Sequence, residues 1–209
     1  MPEKRSAADY LPGRARSLTA LHNAAGRCRG CDLYQQATQV VFGDGPKQAR
    51  LMFVGEAPGS TEDREGRPFV GQAGKLLRES LAEIGLDPAN VYITNVVKHF
   101  PTRESASGRR VPRKPRVGEE RACLPWLEAE VAQVQPAALV CLGATAAQAL
   151  IDRKFKITRQ HGEIHATRWS DATLATYHPA ALLRMRGSDR GDEATRHFLE
   201  DLQAAATCL

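Results

Sequence analysis

Three polar side chains able to do chemistry stand directly behind apolar runs of this chain. They are Glu56 in Gly55-Glu-Ala-Pro-Gly59, Asn95 after Val91-Tyr-Ile-Thr94, and His178 in Tyr177-His-Pro179. The glycines of the first turn let backbone approach a ligand closely, while Pro58 fixes the turn and removes one N–H donor. That suits aiming Glu56 better than cradling a phosphate. Taken singly, a glycine-rich turn is commonly plain turn chemistry, and a histidine before proline commonly caps a loop. Their weight comes from co-location. If the apolar runs are strands of one sheet, a carboxylate, an amide and an imidazole converge on one sheet edge, as at a cleft where ligands bind.

A second set of chemically able residues is Cys28-Arg-Gly-Cys31, which needs partners to hold a metal. The candidates are His99, Cys123, Cys141 and Cys208. Cys141 lies within an apolar run, where a free cysteine behaves as a small buried hydrophobe, and Cys208 is the penultimate residue. Cys28, Cys31, His99 and Cys123 remain, a set suited to zinc or to an iron-sulfur cluster, with zinc the more common choice on spacing alone. A redox role for the pair is disfavoured because it does not open a helix after a strand. Five cysteines, an odd number, also argue against a disulfide framework.

The elements that must position these residues are four short runs, Leu51–Gly55, Val91–Val97, Ala138–Ala144 and Thr173–His178. Between and after them lie helical patterns near 18–25, 74–84, 119–134, 145–151 and 193–206. Val40–Pro46 reads as a short edge strand or turn. Strands alternating with helices predict an α/β fold of three layers, α/β/α, around a central four-stranded parallel sheet. The 209 residues are expected to form a single domain, with an N-terminal extension over about residues 1–13 and a basic loop over 101–116. That loop carries Arg103, Arg109, Arg110, Arg113, Lys114 and Arg116 against Glu104, in a chain whose net charge is +5. A charge run is usually a solvated face, yet loops beyond about 15 residues in compact domains tend to be functional. This one leaves the strand end beside Asn95, where it could hold phosphates. The longest apolar stretch, Ala137–Ile151, is interrupted by Gly143, Thr145 and Gln148, and the N-terminus is charged. The expectation is a soluble, cytoplasmic protein with no membrane association.

These motifs resemble the uracil-DNA glycosylase superfamily, specifically the iron-sulfur family 4 enzymes and their relatives called UdgX. The resemblance runs from Cys28 to about Leu202 and rests on Gly55-EAPG-Ser60, Glu62-Asp63, Arg67-PFVGQA-Gly74, Tyr92-ITNVVKH-Phe100, Ala122-CLPWL, Leu142-GATAA and Tyr177-HPAALL-Arg184. It implies a [4Fe-4S] cluster on Cys28, Cys31, His99 and Cys123, and hydrolysis of the deoxyuridine N-glycosidic bond in uracil-containing DNA by a monomer. Glu56 would stabilise the sugar cation or orient water, and His178 would donate to uracil O2. Asn95 would pair with O4 and N3–H, Phe69 would stack and Ala57 would line the base site. Arg109, Arg110, Arg113 and Arg184 would contact DNA. Lys98-His-Phe100 and the arginine-rich GRRVPRKP look more like UdgX, whose loop histidine bonds covalently to the sugar. Pro112 stands at that position here, so turnover is expected. The alternatives are a covalent adduct through His161 or His165, and a non-catalytic module that binds uracil or abasic DNA.

Overall fold

The computed structural model describes residues 5–13 and 17–209, so residues 1–4 of the expected N-terminal extension lie outside the described residues. The strands of the main sheet are β1 (Leu51–Gly55), β2 (Val91–Asn95), β5 (Ala138–Leu142) and β6 (Ala172–Thr176). They are parallel, in the order β2-β1-β5-β6. Strands β3 (Thr102–Glu104) and β4 (Arg110–Pro112) form a separate antiparallel pair. The helices are α1 (Leu18–Ala25), α2 (Ser60–Glu65), α3 (Gln72–Glu83), α4 (Val117–Val134), α5 (Ala144–Leu150), α6 (Ile157–Gln160), α7 (Pro179–Met185) and α8 (Asp189–Ala206).

Nearly every residue of the four parallel strands is buried, as a sheet covered on both faces requires. Alternation along each strand divides the core. Met52, Val54, Tyr92, Leu139 and Cys141 face α1, α4 and α5. Leu51, Phe53, Ile93, Val140 and Leu174 face α3, α7 and α8. Strand order reverses between β1 and β5, so the carboxyl ends of β1, β2, β5 and β6 open at a switch point, where such sheets place ligands. Among the described residues no helix is long and apolar enough to cross a membrane.

Four expectations are corrected. The 101–116 segment is not all loop: Thr102↔Pro112, Arg103↔Val111 and Glu104↔Arg110 pair as a hairpin closed by Gly108 at φ +74°. It escapes hydrophobic patterning because ion pairs anchor it. Arg113 grips Glu119 of α4 in a two-pronged contact at 2.6 and 2.8 Å, and Arg110 lies 3.5 Å from the buried Asp63. The stretch read as an extension is anchored at the short helical turn Ala7–Tyr10, while Arg5, Ala8, Asp9 and Gly13 are exposed. Ala7 is fully buried, and a Cβ on Gly30 would sit 2.6 Å from its nitrogen. Helix α8 begins at Asp189, four residues early, because Ser188 caps it by accepting the Gly191 N–H at 3.2 Å. The short helices α2, α6 and α7 carry no long apolar period and were not foreseen. Val40–Pro46 contributes a single antiparallel bridge, Asp44↔Ile93, on the outer edge of β2.

Candidate active site and cysteine pocket

The sheet's carboxyl edge carries a pocket of about 770 Å³ lined by Glu56, Ala57, Phe69, Asn95, His178 and Arg184, with Pro112, Arg113 and Lys114 reaching it from the hairpin. Two loops form its near wall, and one side chain joins them. Glu62 of α2 accepts the Gly59 N–H at 3.1 Å with one oxygen and the Gly71 N–H at 2.8 Å with the other. The turn that bears Glu56 is thereby tied to the turn that bears Phe69.

Asn95 ends β2 at 2 % exposure, and its Oδ1 is buried without a partner among the described residues. An orphaned acceptor in a lined pocket is a site for a ligand donor. Gly55 makes room for it: a Cβ there would collide with Asn95 Oδ1 and lie 2.7 Å from Cζ of Phe69. Phe69 has φ +53°, the left-handed region, which costs a bulky residue about 1–3 kcal/mol. Its ring stacks on the His178 ring at 5.8 Å and 29°.

His178 is the N-cap of α7, and its Nδ1 accepts the Ala180 N–H at 3.0 Å. Burial, with the Arg184 cation adding to it, lowers its pKa to about 4. The ring is therefore neutral near pH 7, and because Nδ1 serves as acceptor, the proton resides on Nε2. That nitrogen is a donor. Gly143, at φ +90°, keeps the end of β5 clear of His178, whose Cβ a side chain would meet at 3.0 Å.

Behind Asn95 lies a buried ion pair. Lys98, fully buried, donates to Thr94 Oγ1 at 2.6 Å, to the Asn95 carbonyl at 2.7 Å and to Glu130 of α4. Glu130 also accepts Tyr92 Oη, Thr94 Oγ1 and the Gly43 N–H, each at 3.0 Å. Every ammonium proton has an acceptor, the condition under which a buried pair is tolerated. The Lys98 N–H, in turn, donates to Cys123 Sγ at 3.3 Å.

That sulfur opens a second pocket, of about 10 Å³, lined by Cys28, Cys31, His99 and Cys123 with Gly30 and Ala122 between them. The Gly30 N–H points at Cys28 Sγ from 3.4 Å. Burial pushes the Cys123 thiol up to about 12 and raises Cys31 as well, while burial and then Arg29 lower His99 to about 4. Among the described residues no three His, Cys, Asp or Glu side chains gather around one point as a single metal ion would need. The four donors ring a pocket instead. Cys141 is buried within β5, in neither pocket.

Residues 42–203 match the uracil DNA glycosylase superfamily. The chain is 39 % identical over 184 residues to a type-4 uracil-DNA glycosylase of Thermotoga maritima, covering 88 % of this chain and 90 % of that one. It is 44 % identical over 163 residues to the type-4 enzyme of Archaeoglobus fulgidus, covering 75 % and 78 %. The chain belongs to the uracil-DNA glycosylase superfamily. Its fold is also that of the SMUG2 crystal structure from Pedobacter heparinus, with a TM-score of 0.51 at 13 % identity and 77 % of each chain covered.

Within this superfamily member the residues singled out from sequence divide clearly. Glu56, Ala57, Phe69, Asn95, His178 and Arg184 share the large pocket, and the four cysteine and histidine candidates share the small one. Arg109 and Arg110 are exposed and lie off the pocket lining. Arg113 reaches the pocket, but its guanidinium is committed to Glu119 and to the Thr102 and Lys114 carbonyls. Neither His161 nor His165 lines the pocket: Asp201 holds His161 Nδ1 at 3.0 Å, and His165 Nε2 is buried. Sequence reasoning gave no role to Glu62, Lys98, Glu130 or Arg78, and counted Lys114 only as part of the basic loop. The signal available was that Glu62 and Lys98 sit within the recognised motifs.

Proposed function

We propose that this protein is a uracil-DNA glycosylase that hydrolyses the N-glycosidic bond of deoxyuridine in DNA, leaving an abasic site for base excision repair, and that it acts as a monomer in the cytoplasm. One observation carries the reading. Glu56, the orphaned Asn95 Oδ1 and the neutral, Nε2-protonated His178 face one pocket.

The target nucleotide leaves the stack at a cost of a few kcal/mol and enters this pocket. Asn95 Oδ1 accepts uracil N3–H while its amide donates to O4, a pairing that cytosine's N3 acceptor and N4 donor reverse. Phe69 stacks on the base and the Ala57 backbone closes its edge. As the bond to C1′ lengthens, charge develops toward a sugar cation and a uracil anion. The Glu56 carboxylate faces the former, and His178 Nε2–H donates to O2 of the latter. Water held by Glu56 bonds through oxygen to C1′. The proton it loses passes to Glu56, and the departing uracil anion is protonated from solvent. His178 needs no proton transfer, because a donor that never becomes charged stabilises the anion from the start.

A [4Fe-4S] cluster suits the donor set of Cys28, Cys31, His99 and Cys123. Three thiols and one imidazole surround a pocket, two sulfurs already accept backbone N–H groups, and a cluster takes its ligands at separate corners. It would supply a structural cross-link among the 28–31 loop, the 98–99 turn and α4. Arg184 and Lys114 line the pocket and Arg109 is exposed on the hairpin, which supports phosphate contacts by all three. Pro112 lines the pocket and offers no nucleophile, so no observation favours a covalent adduct. A uracil-containing single strand, incubated with the protein, treated with alkali and run on a denaturing gel, should break at the uracil without a protein-shifted band. An intact strand would overturn the reading, and a shifted band would establish the covalent alternative.

A further inference from the structure

Two non-glycine residues among those described have positive φ, Phe69 and Gln135. Gln135 ends α4, where a left-handed cap is ordinary. Phe69 has no such excuse, and a left-handed bulky residue persists only where its surroundings over-determine it. Helix α3 supplies the constraint. Its first turn packs so closely that a Cβ on Gly74 would overlap the Phe69 carbonyl. One turn on, along the same helix face, Arg78 donates Nη1 to that carbonyl at 2.6 Å. The carbonyl is held from the helix while the ring stands against His178 in the space left by Gly55. Arg78 is absent from the catalytic pocket's lining. It lines a separate surface cavity of about 360 Å³ with Asp44, Arg67 and Ile93, on the outer side of β2.

We propose that Arg78 is a positioning residue for uracil recognition. Its guanidinium, gripping the Phe69 carbonyl from behind the pocket wall, fixes the aromatic face on which the flipped base stacks. The inference rests on the assignment of Phe69 to the uracil-stacking wall. Without the grip, the peptide after Phe69 is free to turn and φ to relax to negative values. That rotation carries the ring away from Asn95 and His178. Glu56 and the His178 cap stay in place, so the loss falls on base binding more than on bond cleavage. Lysine brings a compact ammonium on a flexible stem where the guanidinium is planar and rigid, so it should restore the single Nη1 contact in part.

The test compares Arg78→Met, Arg78→Lys, Phe69→Ala and the Arg78→Met/Phe69→Ala double variant. The measurements are KM and kcat on a uracil-containing oligonucleotide, inhibition by free uracil, and melting temperature. Arg78→Met should raise KM and weaken uracil inhibition about tenfold, with a smaller change in kcat, and Arg78→Lys should recover part of the loss. Phe69→Ala should weaken uracil inhibition at least as much, and adding Arg78→Met to it should change matters by less than about twofold, because the arginine acts through the ring. A lowered melting temperature with uracil inhibition intact in Arg78→Met would overturn the proposal, as would a loss that adds in full on the Phe69→Ala background. If Phe69→Ala itself leaves uracil inhibition unchanged, the stacking assignment fails and the role of Arg78 falls with it.

Discussion

The two pockets of this chain meet at Lys98 and are built in opposite ways. On one side, Lys98 Nζ holds the Asn95 carbonyl beneath a cavity of about 770 Å³ whose acceptor, Asn95 Oδ1, has no partner among the described residues. On the other, the Lys98 N–H reaches Cys123 in a pocket of about 10 Å³ where two of the sulfurs already accept backbone N–H groups. A polar group left unsatisfied in a roomy cavity waits for a ligand, whereas donors brought to one small pocket from three chain segments join those segments to one another. Substitutions in the first should therefore change chemistry and leave the fold, and substitutions in the second should do the reverse.

The largest expected effects test that division directly. Glu56→Gln and His178→Ala should each slow uracil release by about 10² or more in single-turnover assays, through lost transition-state electrostatics, with iron content and solubility retained. Rates within a few-fold of the parent would move the reaction elsewhere. Cys123→Ala should instead lose iron and soluble yield, and lower the melting temperature by about 10 °C, the scale of a several-kcal/mol loss for a chain of this size. Cys141→Ala, whose sulfur lies in β5 outside both pockets, should keep its iron. An iron-free protein carrying zinc would show that the four donors serve a single ion.

What could be read from the sequence follows from this contrast. The four parallel strands were legible because both faces are covered, so each appears as a short run of mostly apolar and β-branched residues. Glu56, Asn95 and His178 were legible because they stand immediately behind those runs. The hairpin was not, since no apolar period marks β3 or β4. Their anchors, Glu119 and Asp63, lie in other elements. Glu62, Arg78 and Glu130 were hidden for the same reason. Each acts on a residue that the fold brings near: Glu62 on Gly71, Arg78 on the Phe69 carbonyl, Glu130 on Gly43, which is 87 positions away. A charge run in turn cannot distinguish an arginine that meets a buried carboxylate from one that meets water.

Arg109 and Arg113 make that last point testable. Arg109 is exposed, so Arg109→Ala should flatten the dependence of log K on log salt by about one unit for duplex DNA, the share of one phosphate contact, without altering stability. Arg113 is largely buried against Glu119, which is held below the usual carboxylate range by Arg113 and the Arg116 N–H despite its burial. Arg113→Ala should therefore cost about 1–2 kcal/mol in denaturant unfolding and shift the salt slope less than Arg109→Ala does. Equal slopes for the two variants would mean that Glu119 releases Arg113 when DNA binds.

A further expected effect concerns pH and belongs to the larger pocket. His178 falls from an ordinary 6.5 to about 4, through burial first and the Arg184 cation second. A histidine whose pKa drops on folding binds fewer protons folded than unfolded. Its contribution to stability is thus complete above about 6.5 and is lost as pH falls toward 4. His178→Asn removes the titration yet keeps an N-cap acceptor for the Ala180 N–H, asparagine being among the best caps. The parent's melting temperature should therefore fall more steeply than the variant's between pH 6.5 and 4, and the two should run parallel above. The excision rate of the parent should be flat from about pH 6 to 8, since the Nε2–H donor form prevails throughout that range. A rate that climbs on acidification with a midpoint near 6.5 would mean that His178 works as an imidazolium, in which case the Ala180 N–H must give up Nδ1 before uracil can leave.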